Sequence, residues 1–208
     1  MNTLSTDIIG TIFEYLTTKE LILSSRTCKQ FKKAFNKNIY KYNIHLFMFD
    51  KVRDNHLQYF KNAKSVGIFY NDKVTDDGLK HLEGLKNITL KGLHMITDNG
   101  LEYFKGADTV DLLFCDHITN KSLEHLQNVR TIHFSQGMSQ GNQITDNGLQ
   151  YLKNTEILSL NHCPSITNDG LKNLVSIKKI HMYNCKQITD TGIKFLKEIN
   201  PSVFIKTY

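Results

Sequence analysis

ITDNGLQYLKNTEILSLNHCPS, residues 144–165, is a pattern that returns along most of the chain. Its opening hexamer has counterparts in VTDDGL at Val74, ITDNGL at Ile96, ITNKSL at Ile118, ITNDGL at Ile166 and ITDTGI at Ile188, with a diverged VRDNHL at Val52. The seven starts are spaced 22, 22, 22, 26, 22 and 22 residues, so one spacing carries a four-residue insertion, Ser139-Gln140-Gly141-Asn142. A fixed period of this length marks stacked units that bury their apolar halves against one another. Such a solenoid is a binding surface far more often than a catalyst.

Within the template, Thr145 stands where it caps the first amides of a short helix. Asp146 adds negative charge to the first turn, and Leu149 and Leu152 share a face. Leu158 and Leu160 then alternate with Ser159, the period of a strand with its leucines turned inward. The inward pair recurs as Val66/Ile68, Ile88/Leu90, Val110/Leu112, Ile132/Phe134 and Ile180/Met182. These strands stack as a parallel sheet with a spacing of about 4.8 Å. The last unit, with Pro201 and one extra residue, is expected to close the stack with Val203 and Ile205 inward. The first unit has Arg53 for Thr and Asn71 for Cys, which suits a coil packed against something different upstream.

Cys115, Cys163 and Cys185 share one register, which Leu93 fills one unit earlier. The slot takes a small or medium apolar group, so these thiols read as buried filler, and no Cys-x-x-Cys pair exists to suggest a metal or disulfide. The net charge of +6 divides unevenly. Residues 1–51 hold eight Lys/Arg and four Asp/Glu, and residues 52–208 hold 18 and 16, giving +4 and +2. Only three of the 26 cations are Arg (Arg26, Arg53, Arg130), the residue that forked recognition of phosphate and guanine favours, so nucleic acid is not the expected partner. No membrane span and no signal peptide are read, and a cytoplasmic protein, with the nucleus also open to it, is expected. The heavy use of Lys, Asn, Ile and Tyr has the look of an AT-rich coding sequence.

L-x-x-L, then L-x-L, then Cys, then I-T-D-x-G-L resembles the cysteine-containing subtype of leucine-rich repeats over residues 52–208. The resemblance implies an α/β solenoid of about seven 22-residue units, with a parallel sheet on the concave face and short helices on the convex face.

Residues 1–51 do not fit the repeat. Leu4, Ile8, Ile9, Ile12, Phe13 and Leu16 mark one amphipathic helical face. Thr17 with Glu20, and Thr27 with Gln30, offer capping boxes for two further helices. A segment of about 40 residues rarely supports a core of its own, so it needs a partner or the solenoid end. Residues 41–51 read as a rigid join, an edge strand in which Ile44, Leu46 and Met48 alternate with His45, Phe47 and Phe49. The series Leu4, Asp7, Ile8, Ile9, Ile12, Phe13, Tyr15-Leu16, Glu20-Leu21 and Thr27-Cys28-Lys29-x-Phe31 looks like an F-box, here a small three-helix unit over residues 1–40. Ser5 stands where the family has Pro, and Phe31 where it has Trp.

Together the two halves resemble the F-box/leucine-rich-repeat proteins of ubiquitin ligases, similar to those of protists and large DNA viruses. The resemblance implies a substrate-recognition adaptor of an SCF-type cullin-RING ligase, with no catalysis of its own. A Skp-family adaptor would meet Leu4, Ile8, Ile9, Ile12, Phe13, Leu16, Leu21, Cys28 and Phe31. The rival reading is a leucine-rich-repeat interaction scaffold whose N-terminal helices are a cap, with no link to ubiquitin.

The outward positions between the inward pairs form a row of Gly67, Thr89, Asp111, His133, Ser159 and His181. Asp, His and Ser on successive strands resemble a catalytic set, but an open sheet supplies no oxyanion hole and no lid. His133, His162, His181 and Cys185 lie on different rows, so no metal site and no cofactor are expected. The next row, Phe69, Lys91, Leu113, Ser135, Asn161 and Tyr183, is flanked by Tyr70 and Phe114. Aromatic and aliphatic groups mixed with Lys91 and Asp111 have the composition of a protein-binding hot spot. The expected substrate-binding residues are Phe69, Tyr70, Lys91, Asp111, Leu113, Phe114, His133 and Tyr183.

Overall fold

A computed structural model of the chain describes Glu20, Leu23 and Arg26 and residues 28–47, 52–136 and 144–208. Each coil runs from a short convex helix through a turn into a five-residue strand. The strands are β1 (Asn43–Phe47), β2 (Ser65–Phe69), β3 (Asn87–Lys91), β4 (Thr109–Leu113), β5 (Thr131–Ser135), β6 (Ile157–Asn161), β7 (Lys179–Tyr183) and the four-residue β8 (Phe204–Thr207). They form one parallel sheet in sequence order. The inward pairs stack rung upon rung, Val66 on Ile88, Ile88 on Val110 and Leu158 on Ile180, and all are buried. Opposite them the helical leucines Leu57, Leu79, Leu101, Leu123, Leu149 and Leu171 are fully buried. At about 1.5–3 kcal/mol for each fully buried side chain, this repeated pairing is the main driving force for the coil.

The convex helices are short. In three coils an α turn (Asp54–Leu57, Asp76–Leu79, Asp146–Leu149) runs into a 3₁₀ turn; Asn120–His125 and Asn168–Leu171 are α turns alone, Asp98–Phe104 is 3₁₀ throughout, and the last, Asp190–Ile199, is a full α-helix. What fixes their spacing is a ladder between coils. Asp76 accepts the Thr97 amide on Oδ1 at 2.9 Å and the Thr97 hydroxyl on Oδ2 at 2.6 Å. Asp54 holds Thr75, Asp98 holds Thr119 and Asp146 holds Thr167 in the same way. Where the unit reads Ile-Thr-Asn, the amide takes over: Asn120 Oδ1 accepts the Thr145 N–H and Asn120 Nδ2 donates to Thr145 Oγ1. Asn168 does this for Thr189. Thr97, Thr119 and Thr167 also accept the amide two residues on, as helix caps do. Thr145 occupies the N-cap but makes no such bond, its hydroxyl being engaged by Asn120. The expected capping role of Thr145 is therefore replaced by a link to the preceding coil.

The glycine of the motif follows from the same ladder. A Cβ on Gly78, Gly100, Gly148, Gly170 or Gly192 would collide with Oδ1 of the Asp or Asn one coil earlier. The diverged first coil carries His56 at this register, and its Nδ1 accepts the Arg53 amide at 3.0 Å. Asn71, at the cysteine register of that coil, accepts the Lys73 and Val74 amides.

Val203 and Ile205 do not repeat the inward pair. Ile205 pairs with Ile180 and Thr207 with Met182, whereas Val203 is buried in the turn before β8, where its amide bonds Asn200 as that of Ile177 bonds Leu174. The longer last helix places β8 25 residues after β7, and this offset moves Val203 out of the strand.

At the other end, Ile44 and Leu46 of β1 are fully buried and the strand pairs with β2 along its whole length. The helix Lys29–Asn38 contributes Ala34 and Phe35 to the same buried cluster, with Ile39 and Tyr42 following. Its N-cap is Cys28, without a side-chain cap bond. Thr17, Thr27, Met48, Phe49 and the insertion at residues 139–142 lie outside the described residues, as do Leu4, Ile8, Ile9, Ile12, Phe13, Leu16 and Leu21. Among the described residues no helix is long and apolar enough to cross a membrane.

Candidate protein-binding face

The sheet registers turn the concave side into rows, one residue per strand. The row through the strand centres is His45, Gly67, Thr89, Asp111, His133, Ser159, His181 and Lys206. Beside it runs Phe47, Phe69, Lys91, Leu113, Ser135, Asn161 and Tyr183.

At the β1–β4 end the rows carry an aromatic platform. Phe47 and Phe69 stack with centroids 4.3 Å apart, and His45 meets each ring edge-on at 5.9 Å. Gly67 makes room for this: a Cβ there would lie 2.5 Å from Phe69 Cε2. One residue beyond the strands, Tyr70, Gly92 and Phe114 turn through left-handed backbone with φ of 52°, 61° and 56°. For Tyr and Phe this conformation costs on the order of 1–2 kcal/mol, and it recurs at the same register at His162 and Asn184, so it belongs to the turn of the coil. It leaves Tyr70 half exposed and Phe114 exposed at the rim. Gly92 lets the Tyr70 ring lie flat, since a Cβ there would be 2.5 Å from Tyr70 Cδ1. Lys91 bridges the two rings, its Nζ 5.3 Å from the Tyr70 centroid and 5.6 Å from that of Phe114.

The centre is polar. Thr89 Oγ1 donates to Asp111 Oδ2 at 2.8 Å, and His133 Nδ1 bonds Ser159 Oγ at 2.8 Å. His133 Nε2 stands 3.9 Å from Asp111 Oδ1, a buried oxygen without a hydrogen-bond partner. Asp, His and Ser are thus adjacent, but the carboxylate lies beyond hydrogen-bond reach of the ring. Ser159 is 7% exposed and mid-strand, where β5 and β7 take up the backbone amides that an oxyanion site needs. The arrangement is a polar patch suited to hydrogen-bonding a partner. No group of three or more His, Cys, Asp or Glu is placed to hold a metal among the described residues.

At the β7–β8 end a second aromatic group gathers: Tyr183 lies 5.3 Å from His162 and 6.0 Å from Tyr208, and His181 lies 6.1 Å from Phe204. Burial, then Lys179, Lys206 and His133, push the His181 pKa down.

Of the residues that the sequence nominates for a partner, Phe69, Tyr70, Lys91, Leu113 and Phe114 come together, with Asp111 and His133 beside them. Tyr183 does not join them; five strands separate it from Phe69, about 24 Å at the usual strand spacing. Phe47 and His45 were legible only by extending the rows one strand back, and Lys206 only with the offset of β8. Cys28 is exposed, and Phe31 packs partly against the core. The repeat cysteines fill their slot: Cys163 is fully buried, and burial raises the Cys115 thiol to about 11. The Cys163 and Cys185 thiols influence each other, Cys163 being raised and Cys185 lowered to about 7, while each donates to backbone carbonyls, Cys163 to Asn161 and Cys185 to Leu160 and Tyr183.

Residues 1–43 match the F-box domain family. No curated protein matches the chain. Among solved structures, a chain from the complex of Rad7 and Elc1 in yeast is similar with a TM-score of 0.65 and 16% identity, over 99% of this chain and 60% of that one. The present chain therefore spans about 60% of that relative's length. Internalin C2 from Listeria monocytogenes is similar with a TM-score of 0.61 and 17% identity, over 96% of each chain. At these identities the likeness is one of fold. The chain thus joins a segment that matches the F-box domain family to a solenoid with the fold of leucine-rich-repeat proteins.

Proposed function

We propose that the protein is a substrate-recognition adaptor of an SCF-type cullin-RING ubiquitin ligase. The observation that carries this is the F-box match over residues 1–43, directly preceding a repeat sheet with a formed aromatic platform. A structurally similar chain that occurs in a two-protein complex, Rad7 with Elc1, fits the reading. Residues 1–40 dock a Skp-family adaptor through Leu4, Ile8, Ile9, Ile12, Phe13, Leu16, Leu21, Cys28 and Phe31. The concave face holds a protein substrate, with Phe69, Tyr70, Lys91, Leu113 and Phe114 as anchors, Asp111 and His133 as polar contacts and Tyr183 as a separate, distal contact. The helix Lys29–Asn38 shares its buried side with the solenoid, so adaptor and substrate are held at a fixed separation.

The test is capture of a purified Skp-family adaptor by the full chain. Capture that Ile12→Asp abolishes, with the repeat domain still folded, supports the reading. Failure of the intact chain to capture any Skp-family adaptor would overturn it in favour of a repeat scaffold unconnected with ubiquitin.

A further inference from the structure

The concave face is lopsided in charge. Its strand positions carry three lysines, Lys91, Lys179 and Lys206, against one carboxylate, Asp111. Asp111 already serves Thr89 and stands by His133 on β4, three strands from β7. That is about 14 Å, beyond the Debye length of roughly 8 Å at physiological salt. The β7–β8 end therefore keeps its positive field.

Its two cations are also held in place. Lys179 Nζ sits 5.6 Å from the Phe204 centroid and Lys206 Nζ 4.5 Å from that of Tyr208, and neither forms an ion pair among the described residues. Cation–π contact of this kind positions an ammonium while leaving its charge uncompensated. Between them lies His181. It is faced by Lys179 on its own strand, by Lys206 and Phe204 from β8, by the uncharged Ser159 from β6 and, further off, by His133 from β5. Its buried Nε2 has no hydrogen-bond partner. Phe204, Tyr208 and Tyr183 are all exposed beside this group.

We propose that this end of the face takes an acidic segment of the partner protein, with Lys179, His181 and Lys206 facing its Asp or Glu carboxylates and Tyr183, Phe204 and Tyr208 its apolar groups. The inference rests on the substrate-binding reading of the concave face and specifies its chemistry. Carboxylates spaced along a segment match cations that stand on different strands, each against its own ring, and Arg130 is tied to Glu156 at 2.7 Å, so it offers no free fork to a phosphate. A nucleic-acid backbone would need a continuous track of cations, and between Lys91 and Lys179 the face offers Asp111, Leu113, Ser159 and Asn161.

The experiment is fluorescence anisotropy of the full chain with a labelled decapeptide of alternating Glu and Gly containing one Phe. Its Gln counterpart and a single-stranded oligo-dT of equal charge serve as comparators. The Glu peptide is expected to bind, with the Gln peptide at least about tenfold weaker. Lys179→Gln with Lys206→Gln weakens the Glu peptide about tenfold, whereas Lys194→Gln with Lys197→Gln, on the helix Asp190–Ile199, leaves it unchanged. Saturation with the Glu peptide raises the His181 titration midpoint seen by NMR. Equal binding of the Gln peptide, no effect of the Lys179/Lys206 pair, tighter binding of oligo-dT, or no binding at about 1 mM peptide overturns the proposal. The same preparations are scored for adaptor capture: lost peptide binding with capture intact rejects this inference alone, and lost capture with peptide binding intact rejects the ligase reading alone.

Discussion

Asp146 of one coil grips Thr167 of the next with both carboxylate oxygens, Oδ1 accepting the backbone N–H at 2.8 Å and Oδ2 the hydroxyl at 2.6 Å. Removing the carboxylate strands a partly buried amide. Asp146→Ala is expected to destabilise the fold by about 2–3 kcal/mol, read as a lower urea midpoint. Asp146→Asn, which reproduces what Asn120 and Asn168 do for their own threonines, should cost under about 1 kcal/mol. Equal losses for the two variants would contradict the ladder.

The glycines divide into those that the ladder needs and those it does not. A Cβ on Gly170 meets Asp146 Oδ1 and lies 3.0 Å from Leu149 Cδ1, while one on Gly106 meets nothing within 4 Å. Gly170→Ala should destabilise by about 1–3 kcal/mol and Gly106→Ala stay within about 0.5 kcal/mol of the parent, as thermal unfolding would show.

Much of this was legible in the sequence because the period does the work. Once Leu158 and Leu160 are read as inward, the rungs of the core and both concave rows from β2 to β7 follow by steps of 22, with one step of 26 across the insertion. The role of Asp146 was not legible. A carboxylate at the first helical position reads as compensation of the helix dipole, and its partner 21 residues on becomes visible only when coils are stacked. Val203 was misplaced for a related reason: the added helical length in the last coil breaks the period, and Lys206 with it drops out of the row.

Phe69 and Leu113 are only partly buried, so their truncation should spare the fold. Phe69→Ala with Leu113→Ala should weaken a substrate protein by more than about 2 kcal/mol, roughly thirtyfold, with thermal unfolding little changed. Unaltered affinity in a pull-down or by calorimetry would remove the aromatic platform from the proposed site.

The thiols should differ in reactivity. The neighbouring Cys163 thiol favours the thiolate of Cys185, lowering it to about 7, whereas burial raises Cys115 to about 11. With the exposed Cys28 changed to Ser, iodoacetamide near neutral pH should label Cys185 first and Cys115 far more slowly, by mass spectrometry of timed samples. Cys163→Ala should slow labelling of Cys185.

His181 fixes the sign of one pH effect. Its pKa in the fold lies below the unfolded value of about 6.5, so as pH falls the unfolded chain takes up the proton first. Its contribution to stability is complete above that value, is lost as pH falls toward the folded pKa, and is constant below it. His181→Asn should flatten this portion of the urea midpoint against pH; an unchanged profile would place the acid sensitivity elsewhere.

Gly67 and Gly92 show what a periodic scaffold allows. Each removes one Cβ from a row so that the ring of a nearby residue can lie flat, and the buried rungs on the other side of the sheet keep their stacking. The proposed contacts and the packed core thus lie on opposite faces of the same strands. Selection can rewrite the contacts one rung at a time, changing what the face holds while the coil that presents it stays as it was.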